Sequence, residues 1–128
     1  MSEVVLDASA LLALLNDEPG SDVVAMVLSG AAISTVNLAE VIAKLTAYGL
    51  SDEEVGEALG TFGLEVTPFD ETHAYIAGGL YRSTRPFGLS LGDRACLALA
   101  KQNGLPVMTA DRAWAGLEIG IEVRVIRE

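Results

Sequence analysis

The chain has little of what most catalytic and redox chemistry uses. Cys96 is the only cysteine in 128 residues, which excludes an internal disulfide and a cysteine-based zinc site and leaves the thiol as an expected small buried hydrophobe. His73 is the only histidine, so a histidine triad or a histidine-rich zinc site has no material; its place one turn into "DETHAYIAGGL" predicts a solvated helix surface. One Trp, three Tyr and three Phe offer few platforms for base stacking, and Trp114 is expected to anchor packing instead. Lys and Arg number eight against 18 acids, a net charge of −10, which weighs against a passive nucleic-acid binder because affinity for phosphate backbones comes largely from basic side chains. No glycine-rich phosphate loop or nucleotide fingerprint is present. The longest apolar run, "ASALLALL", falls far short of the roughly 18 residues a membrane span needs. With neither a basic segment nor a cleavage site at the start, the expected location is cytoplasmic, with no membrane partner.

What is present is apolar and periodic. Hydrophobic residues make up 51% of the chain, which predicts a surface reserved for a partner and hence an oligomer or complex. The length suits one domain, residues 1–128. Short β-branched runs alternate with longer helical patterns, the signature of an α/β domain whose parallel central sheet of about five strands is flanked by helices. The strands are expected at Val4 to Leu6, Ala31 to Ser34, Leu64 to Thr67, Pro106 to Thr109 and Glu122 to Ile126. Helices are expected at Ser9 to Leu15, Ser21 to Leu28, Leu38 to Tyr48, Asp52 to Leu59, Glu71 to Ser83 and Gly92 to Gln102, with a short turn after Asp111. "RSTRPFGLSLG" reads as one long irregular connection, since Pro86 opposes helix, and its place before Asp93 makes it a candidate substrate-contacting segment.

Four acids stand where such a topology delivers side chains to one sheet edge: Asp7 after the first strand, Glu40 in "STVNLAEV", Asp93 in "LSLGDRA" and Asp111 in "PVMTAD". Ligands bind beyond the carboxyl ends of the strands in open parallel sheets. Gathered like charges raise the energy of the fold unless a cation sits among them, and the oxygen donors suit Mg²⁺ or Mn²⁺. Each acid also has a plain structural use. Asp7 and Asp111 are good N-caps, and "NLAE" and "SLGD" have capping-box spacing. The two uses are compatible, and Ser9, Thr35, Asn37 and Thr109 are polar groups able to orient water or carboxylates at the same edge. Gly92 would let a phosphate or a chain come close to Asp93.

Taken together, "VVLDASALLALLNDEPG", "AAISTVNLAEVIAKL", "VTPFDETHAYIAGGLY", "LSLGDRACLALAKQNGLPVMTAD" and the closing strand resemble a PIN-domain nuclease, specifically a toxin of the VapC type. The resemblance implies a Mg²⁺- or Mn²⁺-dependent ribonuclease that cuts RNA phosphodiesters, is inhibited by a small cognate antitoxin protein and forms a homodimer. It carries the family's acidic quartet onto Asp7, Glu40, Asp93 and Asp111, with Ser9 and Thr109 as polar helpers. Asp7 and Asp93 are then the principal metal ligands, Glu40 a ligand or orienter of water, and Asp111 a second ligand or outer support. Two rivals stand beside it: a phosphoacceptor signalling domain, suggested by "LPVMTA" and the length, and an interaction module that keeps the acids without significant nuclease activity. The apolar helices "SDVVAMVLSG" and "NLAEVIAKLTAYGL" are expected to form the partner surface, with Val27 and Leu45 on it.

Overall fold

The computed structural model describes residues Met1–Glu128. Five short strands, β1 (Val4–Leu6), β2 (Ala31–Ser34), β3 (Glu65–Thr67), β4 (Val107–Thr109) and β5 (Val123–Val125), form one parallel sheet in the order β3-β2-β1-β4-β5. Seven helices connect them: α1 (Ala8–Leu15), α2 (Ser21–Val27), α3 (Thr35–Ala47), α4 (Asp52–Gly60), α5 (Glu71–Gly79), α6 (Tyr81–Thr84) and α7 (Leu91–Asn103). Short 3₁₀ turns lie at Leu28–Gly30, Arg85–Phe87 and Arg112–Gly116. No helix is long and apolar enough to cross a membrane.

The period-two alternation of strands divides the core. Val4, Leu6, Ala31, Ile33 and Met108 point to one face and pack with Leu11 of α1, Val24 of α2 and Val41 of α3. Val5, Ala32 and Val107 point to the other, against Cys96, Leu97 and Leu99 of α7 and the buried Trp114. The central strands are covered on both faces, which is why they read as unbroken apolar runs.

The strand order has a functional consequence. The chain runs outward from β1 through β2 to β3, then crosses back to lay β4 on the other side of β1. The carboxyl ends of β1 and β4 therefore flank the point where the topology reverses, the crevice in which open α/β sheets bind ligands. The order also removes the phosphoacceptor rival, since a receiver domain runs 2-1-3-4-5.

Four local expectations are corrected. Helix α3 starts at Thr35, three residues early, because the Ser34 hydroxyl accepts the Val36 N–H and caps it; "NLAE" is thus an i, i+3 pair inside the helix and not a capping box. The segment Arg82 to Leu91 is mostly ordered: α6 runs into the Arg85–Phe87 turn, where Pro86 is tolerated because the first positions of a helical turn need no N–H donor. Leu45 is buried in the core and Val27 packs against it, so neither lies on a free surface. His73 is buried, because it shares one stripe of α5 with Ala77 and that stripe faces α7. Its Nε2 pairs with Gln102 Oε1, and its ring meets Phe69 edge-on at 5.9 Å.

Candidate active site

Asp7 leaves the end of β1 with extended backbone and caps α1, its Oδ1 accepting the Ala10 N–H at 2.8 Å. Only 3% of the residue is exposed. The Ser9 hydroxyl donates to the same carboxylate at 2.8 Å, and the Thr109 hydroxyl, from the end of β4, donates to Oδ2 at 2.6 Å. Both hydroxyls are directional for a reason. Ser9 Oγ accepts the Ala110 N–H at 2.9 Å and Thr109 Oγ1 accepts the Asp111 N–H at 3.0 Å, so each has its single proton left for Asp7. The two hydroxyls thus weld the β1 end to the chain that carries Asp111. Ser9 and Thr109, each also readable as a local backbone partner, serve both purposes.

Glu40 and Asp93 enter from two neighbouring helices. The Asn37 amide, 1% exposed, donates to Glu40 Oε1 and to the Gly92 carbonyl, both at 2.9 Å, and so ties α3 to the start of α7. Glu40 lies where a side chain at residue 92 would be: a Cβ built on Gly92 meets all three carboxylate atoms at 2.7 Å or less. Gly92 admits the neighbouring carboxylate itself. Asp93 closes a capping box with Ser90, its Oδ2 accepting the Ser90 N–H at 2.9 Å. Because α7 runs antiparallel to the strands it covers, its start lies at their carboxyl edge, beside Asp7. Asp111, two residues beyond β4, caps the last 3₁₀ turn through Oδ1 and the Ala113 N–H. Thr35 serves elsewhere, accepting the Phe69 N–H at 3.1 Å.

The electrostatics reflect the proximity of three of these acids. Burial pushes the Asp7 carboxyl up to about 6 against the pull of its hydrogen bonds from Thr109, Ala10 and Ser9, with the charge on Asp93 adding to the rise. The buried Cys96 thiol is driven far above its usual range, first by desolvation and then by Asp7, Asp93 and Glu40 together. No cation of the chain answers these charges: the only ion pairs are Arg124 with Glu122 and Arg127 with Glu18.

The donor set fits a hard divalent cation in its chemistry. Glu40, Asp93 and Asp111 each keep one carboxylate oxygen with no hydrogen-bond partner in the protein, and Asp7 is a buried carboxylate without a counter-charge. The four share an edge, but no three are drawn into a ready-made coordination group, since Asp93 and Asp111 also face their own helix starts.

A buried acid at the switch point of a 3-2-1-4-5 parallel sheet, with acids from two flanking helices around it, defines a class, and the sequence agrees. The PIN domain family model matches residues 4–119, and the chain belongs to this family. Among solved structures it is similar to a toxin-antitoxin complex from Klebsiella pneumoniae, at 20% identity over 98% of this chain and 99% of that one, with a TM-score of 0.76. It is also similar to a DNA-bound VapBC from Salmonella typhimurium, at 22% identity over 98% and 99% with a TM-score of 0.74. A third is VapBC-5 from Mycobacterium tuberculosis, at 24% identity over the whole of both chains with a TM-score of 0.61. No curated protein sequence matches the chain.

Arg94 makes an arrangement that no residue spacing announces. It donates to the Ala77 carbonyl at 2.9 Å and lies over the Tyr81 ring, 5.3 Å from its centroid, and so joins helices that meet only in the fold.

Proposed function

We propose that the protein is a Mg²⁺- or Mn²⁺-dependent endoribonuclease, the toxin of a toxin-antitoxin pair. The observation that carries the proposal is the buried, cation-free Asp7 carboxylate at the β1/β4 crevice, with Glu40 and Asp93 close by. Family membership supports a nuclease, and the toxin-antitoxin complexes of similar fold support an antitoxin partner. Asp7, Glu40, Asp93 and Asp111 would hold the ion, which supplies a positive charge to polarise the scissile phosphate and to acidify a water.

The chain's own residues then have distinct tasks. Ser9 and Thr109 fix the Asp7 carboxylate so that it need not reorganise during the reaction. Asn37 holds Glu40 by Oε1, which leaves Oε2 to orient the attacking water and take its proton. The Ser90 cap holds Asp93 at the start of α7 with Oδ1 free. Attack by water leaves a 5′-phosphate and a 3′-hydroxyl. The antitoxin is proposed to cover the exposed Val23 and Met26 of α2 and Ile42 of α3, and the active form to be a homodimer.

The test is cleavage of total RNA by purified protein with Mn²⁺ or Mg²⁺, with chelator and an Asp93→Asn variant as controls. Metal-dependent cuts bearing 5′-phosphates, absent in the variant, are expected. Metal-independent cleavage or 2′,3′-cyclic phosphate ends would overturn the mechanism.

A further inference from the structure

The charge of the chain is strongly segregated. Residues 72–110 contain one acid, Asp93, and four bases, Arg82, Arg85, Arg94 and Lys101, a net +3; the remainder holds the other 17 acids and four bases, a net −13. In the fold, three of those four bases gather on one side of the acid edge. The end of α5, then α6, then the Arg85–Phe87 turn lead directly into the start of α7, and Lys101 alone lies at the far end of that helix. Phe87 packs against Gly116 of the last 3₁₀ turn, which brings the turn that begins with Arg112 beside the same segment. Arg82, Arg85 and Arg112 are exposed and none forms an ion pair, although the protein has carboxylates in excess elsewhere.

The surface between these cations suits a flexible, unpaired strand. Tyr81 is 52% exposed while the Arg94 guanidinium stacks on its ring. A ring backed by a cation and open to solvent is a stacking platform for a base. Beside it lies a shallow dip of about 370 Å³ lined by Gly78, Gly79, Tyr81 and Arg82, where both glycines face open space and leave the backbone bare to close approach. Phe87, 36% exposed, offers a second apolar surface five residues on from Arg82.

We infer that this face, from Gly78 to Phe87 with Arg112, seats the single-stranded RNA that the acid edge cuts. Its arginines take backbone phosphates, and Tyr81, held by Arg94, stacks a base next to the scissile bond. The inference rests on the ribonuclease proposal and answers the problem that a chain of charge −10 poses for binding RNA. Attraction is local: the strand meets an acid-free stripe and reaches the carboxylates only where a divalent ion offsets them.

The test measures cleavage of a short single-stranded oligoribonucleotide of mixed sequence, and its equilibrium binding to the Asp93→Asn variant. Arg82→Ala with Arg85→Ala is expected to raise KM roughly tenfold with kcat little changed, and to lower the slope of log affinity against log salt by about 0.7 for each phosphate that is no longer neutralised. Tyr81→Leu should weaken binding roughly tenfold, with Tyr81→Phe recovering most of it, because phenylalanine keeps the stacking face. Lys44→Ala, on exposed α3, is the control for loss of positive charge away from the stripe. An unchanged KM and salt slope in the double arginine variant would overturn the inference, as would equal losses in Lys44→Ala. Wild-type protein that binds the RNA through this face without cutting it would overturn the ribonuclease proposal and leave the surface standing.

Discussion

Two buried polar groups, Asp7 and His73, show how differently a fold can treat polarity. Asp7 has hydrogen bonds on both carboxylate oxygens, yet burial and the neighbouring Asp93 still push its carboxyl up to about 6. His73 is as deeply buried and less well satisfied: Nε2 pairs with Gln102, while Nδ1 has no partner. The imidazole leaves one ring atom unpaired at the cost of a single hydrogen bond, about 1–3 kcal/mol. A carboxylate cannot be settled by hydrogen bonds alone at this depth, and its remaining demand is for positive charge. The lone histidine joins α5 to α7; the lone buried acid is where the proposed ion would be held.

Substitution separates the acid edge from the histidine. The largest effect is expected from Asp7→Asn or Asp93→Asn, each of which should abolish metal-dependent RNA cleavage in a folded protein; wild-type turnover in either would remove that residue from the centre. Gly92→Ala should come next. Its methyl group meets the Glu40 carboxylate, and displacement by about 1 Å costs on the order of 10²-fold in kcat. The same change removes a glycine from a helix, worth about 0.5–1 kcal/mol in the opposite direction, so activity should fall without a matching loss in melting temperature.

A third expectation concerns stability against pH without metal. Folded Asp7 keeps its proton to about pH 6 while the unfolded residue loses it near 3.8, so the folded state binds more protons between these values. Its contribution to stability is therefore most favourable below pH 3.8, falls as pH rises through the window, and levels off above 6 at a cost of about 3 kcal/mol. Asp7→Asn should abolish that slope and gain on wild type as pH rises from about 4 to about 7, read by urea unfolding. A constant difference between the two proteins would contradict the burial argument. His73→Leu is the smallest change: it should cost about 0.5–1.5 kcal/mol, the net worth of the hydrogen bond to Gln102, whose exposed amide then turns to water, and alter kcat not at all, as matched unfolding and cleavage assays would show.

How much of this was legible in the sequence follows from which forces are local. Strand positions came from alternating and unbroken apolar runs, and Asp7, Asp111 and the "SLGD" box announced the turns they open by caps that the structure contains. Trp114 and Cys96 are buried as their types suggest. The strand order was not legible, because pairing β4 beside β1 joins residues a hundred positions apart with no local signature. Nor was the burial of His73, because the partner that admits it to the interior, Gln102, lies on another helix. The four acids were singled out by type and by place, Asp7 and Asp111 after strands and Glu40 and Asp93 near helix starts. The bonds that organise them, from Thr109 to Asp7 and from Asn37 to Gly92, exist only once separate segments meet.

Capping and metal binding are compatible at Asp93 and Asp111 but respond differently to metal, and thermal unfolding of wild type, Asp93→Ala and Asp111→Ala with and without Mn²⁺ separates them. Loss of a cap alone costs about 0.5–2 kcal/mol whatever the metal. If the acids hold an ion, Mn²⁺ stabilises the wild-type fold by preferential binding, and the rise in melting temperature is largely lost in Asp93→Ala and reduced in Asp111→Ala. Equal metal-induced rises in all three proteins would contradict a metal site at this edge and leave these residues as caps only.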